Sequence, residues 1–505
     1  MRATIIRSAR FICGRFRGGG KERASSLLLH RKARWFCMGA AIGLSVLATA
    51  CQTKDDPAKA RQGAAVRTAV AYPLKASANG RYLVDQNNLP FLIVGDSPQS
   101  LIGNLSEADA AIYFADRQLR GFNALWIDLL CNTYAGCRND GTTMDGIAPF
   151  TIPGDLSTPN AAYFQRADEM LRLAGKYGLA VFLDPVETGG WLSTLRTNGP
   201  KKAYNYGQFL GNRYKNFSNI VWLNGNDFTT WATSTTDNDL VYQVMAGIAS
   251  ADPNHLQTVE LTWYSNEDAA LRPFLALDAA YSYYETYDEV LAAYNSLPTL
   301  PTFLVEANYE YDNITHLFRG KTGTLILRQQ EYWAMTSGAC GHFYGNDHIW
   351  PFKASKHMWT FAKNWRSYLD SPGTRELGYF NKLFHSLPWW QLVPDQSHQV
   401  VTKGYGTYNG KNGNLPAADY VTTAWIPDGS LAVIYDPAGN ALQIDLAKFK
   451  AAVTAAWYDP SNGTFTTISG SPIANSGLRQ FKPSDANHGG DHDWVLVLEA
   501  GPTYR

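Results

Sequence analysis

Two acidic residues each stand at the end of an apolar segment, and together they could break a glycosidic bond. Asp227 closes segment 219–227, and Glu306 closes segment 301–306. A carboxylate at the end of a buried strand is poorly solvated, so its presence there needs a reason. Glycosidic bond cleavage requires one carboxylic acid to protonate the leaving oxygen and a second carboxylate to attack the sugar or activate water. We therefore predict that Asp227 and Glu306 are a catalytic pair.

Apolar segments alternate with helical segments between residues 72 and 390, which predicts a (β/α)₈ TIM barrel. Ser106 is suited to a helix N-cap, and Gly121 and Gly178 are suited to helix ends. Asp227 and Glu306 would end strands four and seven, at the barrel end where active sites lie. The eight predicted strands are residues 91–96, 122–128, 180–184, 220–224, 257–262, 280–283, 303–306 and 341–344.

Other polar and aromatic residues could join this pair at the barrel mouth. Aromatic rings stack on sugars while their polar tips form hydrogen bonds, and the chain has 15 Trp and 28 Tyr. A structural role for the carboxylates and burial of the rings in the barrel remain the alternatives. The predicted substrate-binding residues are Asp96, Trp126, Asp128, Glu187, Asn226, Trp263, Tyr283, His342 and Tyr344.

Residues 391–505 differ from the barrel, because short alternating segments are separated by turn-forming residues. This spacing predicts an antiparallel β-sandwich. The adjacent residues Trp389 and Trp390 mark the boundary. Two exposed indoles in a linker would be costly, so we expect them to be buried and the barrel and sandwich to form one rigid unit.

The N-terminal region indicates export. Residues 1–51 hold ten of the 44 basic residues and one of the 44 acidic residues, and an apolar run at 35–51 ends in Leu-Ala-Thr-Ala-Cys51. This ending resembles a bacterial lipobox, which predicts a signal peptide at 1–51, lipidation of Cys51 and a tether at 52–71. We expect the protein in the cell envelope, anchored in the periplasm or outer membrane. Membrane contact is expected through this lipid anchor.

The rest of the chain has 34 basic and 43 acidic residues, a net charge of about −9. Such a charge disfavours nucleic-acid binding, which depends on phosphate neutralisation by Lys and Arg. Cys131 and Cys137 enclose a short loop and could pair in an oxidising compartment, or both could be free thiols. The sequence shows no zinc pattern, and segment 488–493 is more typical of a solvated loop than of a metal cluster. We predict neither a metal nor a cofactor.

Several motifs together resemble the apiosidase-like glycoside hydrolases. They are Tyr82-Leu-Val-Asp-Gln86, Phe91-Leu-Ile-Val-Gly-Asp96, Arg120-Gly-Phe-Asn123, Tyr177-Gly-Leu179, Ile220-Val-Trp-Leu-Asn-Gly-Asn-Asp-Phe228, Gly341-His-Phe-Tyr-Gly345 and Trp389-Trp-Gln-Leu-Val-Pro-Asp395. The resemblance begins near Tyr72 and continues to the C-terminus, where the last domain is similar to one named for collagen binding. It departs at Val305-Glu306-Ala307-Asn308 and at Gly95-Asp96-Ser97-Pro98-Gln99.

The resemblance implies a retaining glycosidase with Asp227 as the acid/base and Glu306 as the nucleophile. It also implies a carbohydrate partner, with apiose in pectin side chains as the family-level substrate. Proximity of the two carboxyl groups should keep Asp227 protonated while Glu306 is ionised. A non-catalytic glycan-binding lipoprotein is the alternative. A metal-dependent barrel hydrolase is disfavoured, since strand one carries no His-x-His pair.

Overall fold

The computed structural model describes residues 69–312, 323–352, 364–410, 415–501 and 504. They fall within one compact unit, Thr68–Arg505. The predicted signal peptide, Cys51 and most of the predicted tether lie outside the described residues. Among the helices that are described, none is both long and apolar enough to cross a membrane.

A small antiparallel sheet precedes the barrel, and eight parallel strands follow it. The small sheet has β1 (Lys75–Ala76), β2 (Leu83–Val84) and β3 (Pro90–Phe91). The barrel strands are β4 (Ile93–Asp96), β5 (Ala124–Asp128), β6 (Ala180–Asp184), β7 (Ile220–Phe228), β8 (Gln257–Leu261), β9 (Asp278–Tyr281), β10 (Thr302–Glu306) and β11 (Gly341–Tyr344). Neighbouring strands pair in the order β8-β7-β6-β5-β4-β11-β10-β9. This confirms the predicted barrel.

Helices connect most of these strands, and their ends follow the sequence signals. The Ser106 hydroxyl accepts a hydrogen bond from Asp109 N, and Gly121 and Gly178 adopt φ angles of 88° and 72° just beyond two helices. The helices are α1 (Leu101–Asn104), α2 (Glu107–Leu119), α3 (Ala161–Lys176), α4 (Thr188–Tyr214), α5 (Thr235–Ala251), α6 (Thr286–Tyr294), α7 (Thr324–Thr336) and α8 (Pro372–His385).

The sixth strand differs from the prediction. It begins at Asp278, two residues before the predicted start, and β8 and β9 are joined by the 3₁₀ turns Ser265–Glu267 and Arg272–Phe274. Asp278 is buried because its carboxylate accepts hydrogen bonds from Asn266 N and Ser296 Oγ, both at 3.0 Å. A buried carboxylate that is hydrogen-bonded in this way hides the start of a strand from an apolar pattern.

Aromatic rings fill the barrel interior. Phe182 lies 5.6 Å from Phe303 and 4.9 Å from Phe343 between ring centroids. Gly95 makes room for this packing, because a Cβ atom there would lie 2.3 Å from the Phe343 ring. The interior below the mouth is therefore a packed core rather than a channel.

The C-terminal region is an antiparallel β domain of two sheets, which agrees with the predicted sandwich. The six-stranded sheet has the order β12-β14-β15-β20-β17-β18, and the three-stranded sheet has the order β13-β16-β19. The strands are β12 (Val393–Pro394), β13 (Val401–Lys403), β14 (Thr422–Trp425), β15 (Leu431–Asp436), β16 (Leu442–Asp445), β17 (Val453–Asp459), β18 (Thr464–Thr467), β19 (Leu478–Phe481) and β20 (Trp494–Ala500).

Helix α7 packs the β domain against the barrel. Trp333 Nε1 donates to Tyr420 O at 2.9 Å, and the Tyr332 ring stacks on the Tyr435 ring at 5.1 Å. At the boundary, Trp389 is buried as expected, whereas Trp390 is only half-buried. The Trp389 ring meets the Tyr82 and Trp390 rings edge to face. The two domains thus share one apolar core.

Candidate active site

A cavity of about 630 Å³ opens at the carboxyl ends of the barrel strands. Asp227 and Glu306 both line it, one from strand four and one from strand seven of the barrel. Tyrosine, asparagine and acidic residues supply most of the remaining wall. The other lining residues are Gln99, Asn132, Thr133, Tyr134, Asn139, Gly189, Gly190, Asn226, Tyr283, Tyr309, Asp312, Asp347 and Trp350.

The end of strand β7 turns sharply to present Asp227. Gly225, Asn226 and Asp227 all adopt left-handed backbone angles, with φ of 105°, 61° and 53°. Glycine is required at 225, since a Cβ atom would lie 2.4 Å from Glu260 O. Asp227 N donates to the Glu260 carboxylate, and Asp227 Oδ2 accepts a hydrogen bond from Tyr134 Oη. Backbone and side chain are therefore held by different elements.

Glu306 is fixed mainly by tyrosine. It ends strand β10, and its Oε1 accepts a hydrogen bond from Tyr283 Oη at 2.7 Å. Tyr309 also lines the cavity and interacts electrostatically with Glu306. Phenolic donors favour the ionised form of a carboxylate, so the Tyr283 hydrogen bond acts to lower the pKa of Glu306.

Burial acts in the opposite direction on the carboxyl groups around the cavity. It raises the pKa of Asp227, while the Tyr134 hydrogen bond lowers it. Burial and the negative charge of Asp227 raise the pKa of Glu306 well above its ordinary value. Burial and the charges of both residues likewise raise the pKa of Glu260. The direction at Asp227 agrees with its predicted protonation, whereas the raised pKa of Glu306 runs against its predicted ionised state, because the prediction did not take the burial of Glu306 into account.

More buried carboxyl groups lie behind the cavity wall. Asn226 Nδ2 donates to Asp128 Oδ1 at 3.4 Å, and burial raises the pKa of Asp128 to about 8. Burial and the charge of Asp128 raise the pKa of both Asp184 and Glu187 well above their ordinary values. Asp128 and Glu187 therefore lie beneath the floor of the site and do not line the cavity.

The structure brings Asn226, Asp227, Tyr283 and Glu306 together among the predicted site residues. Trp126 lies in the barrel core, two residues below Asp128 on strand β5, and is fully buried. Trp263 is half-buried outside the cavity lining, and its carbonyl accepts Tyr281 N at 2.7 Å. These two rings therefore do not line the cavity.

Three other predicted residues lie away from the cavity. Asp96 pairs with Arg117 Nε and Tyr113 Oη, each at 2.5 Å, on the helix side of the barrel wall. The His342 ring packs 4.8 Å from Phe380 of helix α8, where burial lowers its pKa to about 3. Tyr344 donates to Glu310. Successive residues of a strand face opposite sides, so His342 and Tyr344 point outward when Phe343 points into the barrel.

Glu260 and Tyr134 were not among the residues predicted from the sequence. Glu260 was detectable, because it is a charged residue within the apolar strand β8, the same signal that identified Asp227. Tyr134 lies in the loop closed by Cys131 and Cys137, which form a disulfide in the structure. The pairing of these cysteines, which the sequence left open, places a polar loop over the cavity.

Comparison with protein families places the chain in a known group. Residues 77–391 match the model of the apiosidase-like catalytic domain, which is more than half of the chain. The chain belongs to the apiosidase-like family. Residues 411–499 match a second model, provisionally named the collagen-binding domain of a collagenase. Both matches confirm the resemblance that the motifs indicated.

Solved structures share the fold of this apiosidase-like protein. It is similar to a glycoside hydrolase with a TM-score of 0.73 and 21% identity, covering 86% of this chain and 98% of that one. It is also similar to a glycoside hydrolase family 5 protein from Bacteroides vulgatus ATCC 8482, with a TM-score of 0.72 and 22% identity over 86% and 95% of the two chains. A comparison with curated proteins gives no match.

Proposed function

We propose that this apiosidase-like protein is a retaining glycoside hydrolase in which Asp227 is the acid/base and Glu306 is the nucleophile. The observation that carries the proposal is that both carboxyl groups line one cavity, each held by a tyrosine hydroxyl. Membership of the family and the glycoside hydrolase fold support it. A cavity of about 630 Å³ is within the usual size range for ligand sites.

In this mechanism Glu306 attacks the anomeric carbon and forms a covalent glycosyl bond as Asp227 donates its proton to the leaving oxygen. Asp227 then removes a proton from water, and the resulting attack releases the sugar and restores Glu306. The raised pKa of Asp227 suits the first step, because the acid must hold its proton near neutral pH. At the family level, the proposed substrate is apiose in pectin side chains.

The proposal is tested by screening purified protein on plant and microbial glycans and on aryl glycosides. On a substrate that the wild type cleaves, Glu306→Gln should abolish turnover. Asp227→Asn should lower the rate by about 10²–10⁴-fold on poor leaving groups and much less on good ones, which need little protonation. Glu169→Gln makes the same chemical change on the exposed face of α3 and should have no effect.

Proton NMR of the first product will show whether the anomeric configuration is retained. An inverted product would overturn the nucleophile role of Glu306, because inversion requires a carboxylate that activates water. Glycan binding by the wild type without turnover, unchanged in Asp227→Asn and Glu306→Gln, would instead indicate a non-catalytic binding protein.

The location of the protein is a further part of this proposal. The basic and apolar leader supports export, with a lipid on Cys51 as the anchor to the cell envelope. Mass spectrometry of protein from the membrane fraction should find a lipidated Cys51 at the mature N-terminus. A soluble protein cleaved at another position would contradict the anchor.

A further inference from the structure

The loop after strand β5 reaches over the cavity and contacts the candidate acid, Asp227. Tyr134 lies between Cys131 and Cys137, whose disulfide closes the loop. The Tyr134 side chain is 41% exposed, lines the cavity and donates a hydrogen bond to Asp227 Oδ2. A surface loop therefore supplies the hydroxyl that fixes one oxygen of the carboxyl group.

Hydrogen bonds of Asn132 shape this loop and tie it to the start of helix α4. Asn132 Oδ1 accepts Tyr134 N at 2.9 Å, and Asn132 Nδ2 donates to Gly190 O at 2.8 Å. Cys137 N donates to Asn132 O at 2.7 Å. The loop is thus anchored at its base as well as closed by its disulfide.

Two glycines make the close approach possible. A Cβ atom at Gly189 would lie 2.4 Å from the Tyr134 ring, and one at Gly190 would lie 2.2 Å from Asn132 Oδ1. Real side chains do not tolerate such distances. Because Gly189 and Gly190 have no side chains, the Tyr134 ring and Asn132 can pack directly against the start of α4.

We propose that Tyr134 is the positioning residue of this site, which orients the Asp227 carboxyl group through its hydroxyl and forms one wall of the sugar subsite with its ring. This inference rests on the proposed function for the role of Asp227. The contact leaves Oδ1 of Asp227 for the leaving oxygen. The backbone of Asp227 is already tied to Glu260, so the loop adds control over the side chain.

The hydroxyl also affects proton binding by Asp227, because a phenolic donor stabilises the ionised carboxylate. The negative charge of Asp227 raises the pKa of several other ionisable groups on neighbouring elements. They are Glu187 before α4, Glu260 on β8, Tyr281 on β9, Glu306 on β10 and Tyr309 after β10. Tyr134, by contrast, donates a hydrogen bond that favours the charged form of Asp227.

The decisive test follows the titration of Asp227 by NMR of protein labelled with ¹³C at aspartate carboxyl groups. The Asp227 signal is assigned by its loss in Asp227→Asn. Tyr134→Phe keeps the ring and removes the hydroxyl, so the pKa of Asp227 should rise by about one unit. Tyr408→Phe is the matched control, since Tyr408 is also half exposed and donates to an aspartate, Asp288, on α6. The control should leave the Asp227 signal unchanged.

This titration needs no substrate, so its outcome does not depend on the proposed function. An unchanged Asp227 titration in Tyr134→Phe would overturn the inference even if Glu306→Gln proved inactive. If the wild type has no glycosidase activity but the titration shifts, the proposed function fails and the Tyr134 contact stands.

Kinetics on a substrate that the wild type cleaves provide a second readout. Tyr134→Phe should move the alkaline limb of the kcat profile to higher pH and leave KM near the wild-type value. Tyr134→Ala also removes the ring and should raise KM by up to about tenfold. The Cys131→Ser/Cys137→Ser protein should shift the alkaline limb in the same direction as Tyr134→Phe. An unmoved limb in Tyr134→Phe would contradict the positioning role.

Discussion

The role of a buried carboxylate in this protein depends on the residues that contact it. Several acidic residues occupy equivalent positions at strand ends but have different partners. Asp96 and Asp227 both lie at the end of a barrel strand. Asp96 meets the Arg117 guanidinium at 2.5 Å, which neutralises it in a structural ion pair. Asp227 instead meets the Tyr134 hydroxyl, which lowers its pKa, while burial raises it and favours a bound proton. The sequence pattern identified both residues but could not separate their roles, because the partners come from distant segments.

Burial of Asp128 should make the folded protein less stable at alkaline pH. Its pKa is about 8 in the folded protein and near 3.8 when unfolded. Because the folded value is the higher one, the folded state binds the proton more tightly. The stabilisation is complete below about pH 4 and is lost as the pH rises through about 8. Urea unfolding of Asp128→Asn should therefore show a smaller fall in stability between pH 5 and pH 9 than wild type.

Asp237 provides a control of opposite sign. Its hydrogen bond with Arg196 lowers its pKa to about 2, so its stabilisation is lost as the pH falls. Asp237→Asn should therefore leave the alkaline decline unchanged and alter the acid side. An identical alkaline decline in Asp128→Asn and wild type would show that Asp128 does not retain its proton in the folded state.

At the scale of elements, the strands and helices were largely predictable because their signals are local. The order of strands and helices in the barrel was predicted from apolar segments, from Ser106 as an N-cap and from glycines at helix ends. The face of a strand was harder to predict. His342 and Tyr344 point outward, and a shift of one residue reverses this assignment. Tyr134 could not be placed, because its position depends on a loop and a disulfide that the pattern does not encode.

The turn at the end of strand β7 should be more sensitive to substitution than other turns. Gly225 has a positive φ of 105°, and a Cβ atom there would meet Glu260 O at 2.4 Å. Gly225→Ala should therefore displace Asp227 and lower kcat/KM by at least about tenfold while also lowering the melting temperature. Activity assays and calorimetry on the same protein will check both effects.

Gly146 is the matched control for this prediction. It also has a positive φ, 85°, but nothing lies within 4 Å of a Cβ atom built there. Gly146→Ala should cost about 1 kcal/mol of stability through backbone strain and leave kcat/KM unchanged. Equal effects of the two substitutions would show that backbone angle, rather than contact with strand β8, governs the β7 turn.

At the scale of the whole molecule, one arginine joins the barrel to the β domain. Arg328 on helix α7 is buried, and its guanidinium meets Glu376 at 2.6 Å, Asp491 at 2.7 Å and Asp493 at 2.9 Å. Glu376 belongs to the barrel helix α8, whereas the two aspartates precede strand β20. Together with the buried Trp389, this network supports the expectation of one rigid unit. The sequence indicated Trp389 but not Arg328, since the partners of Arg328 lie up to 165 positions away.

Removal of this arginine should weaken the junction strongly. Arg328→Leu would leave Asp493 fully buried without its cation, which typically costs about 3–5 kcal/mol. Arg375→Leu removes an arginine from an exposed pair with Asp370, where the side chains are 48% and 62% exposed, and should cost about 0–1 kcal/mol.

Urea unfolding should show one transition in the wild type and a lower midpoint in Arg328→Leu. Limited proteolysis should then cut Arg328→Leu near Pro394 while the wild type resists. Equal midpoints for the two variants, or a stable barrel released from the wild type, would mean that the domains fold independently and that Arg328 does not couple them.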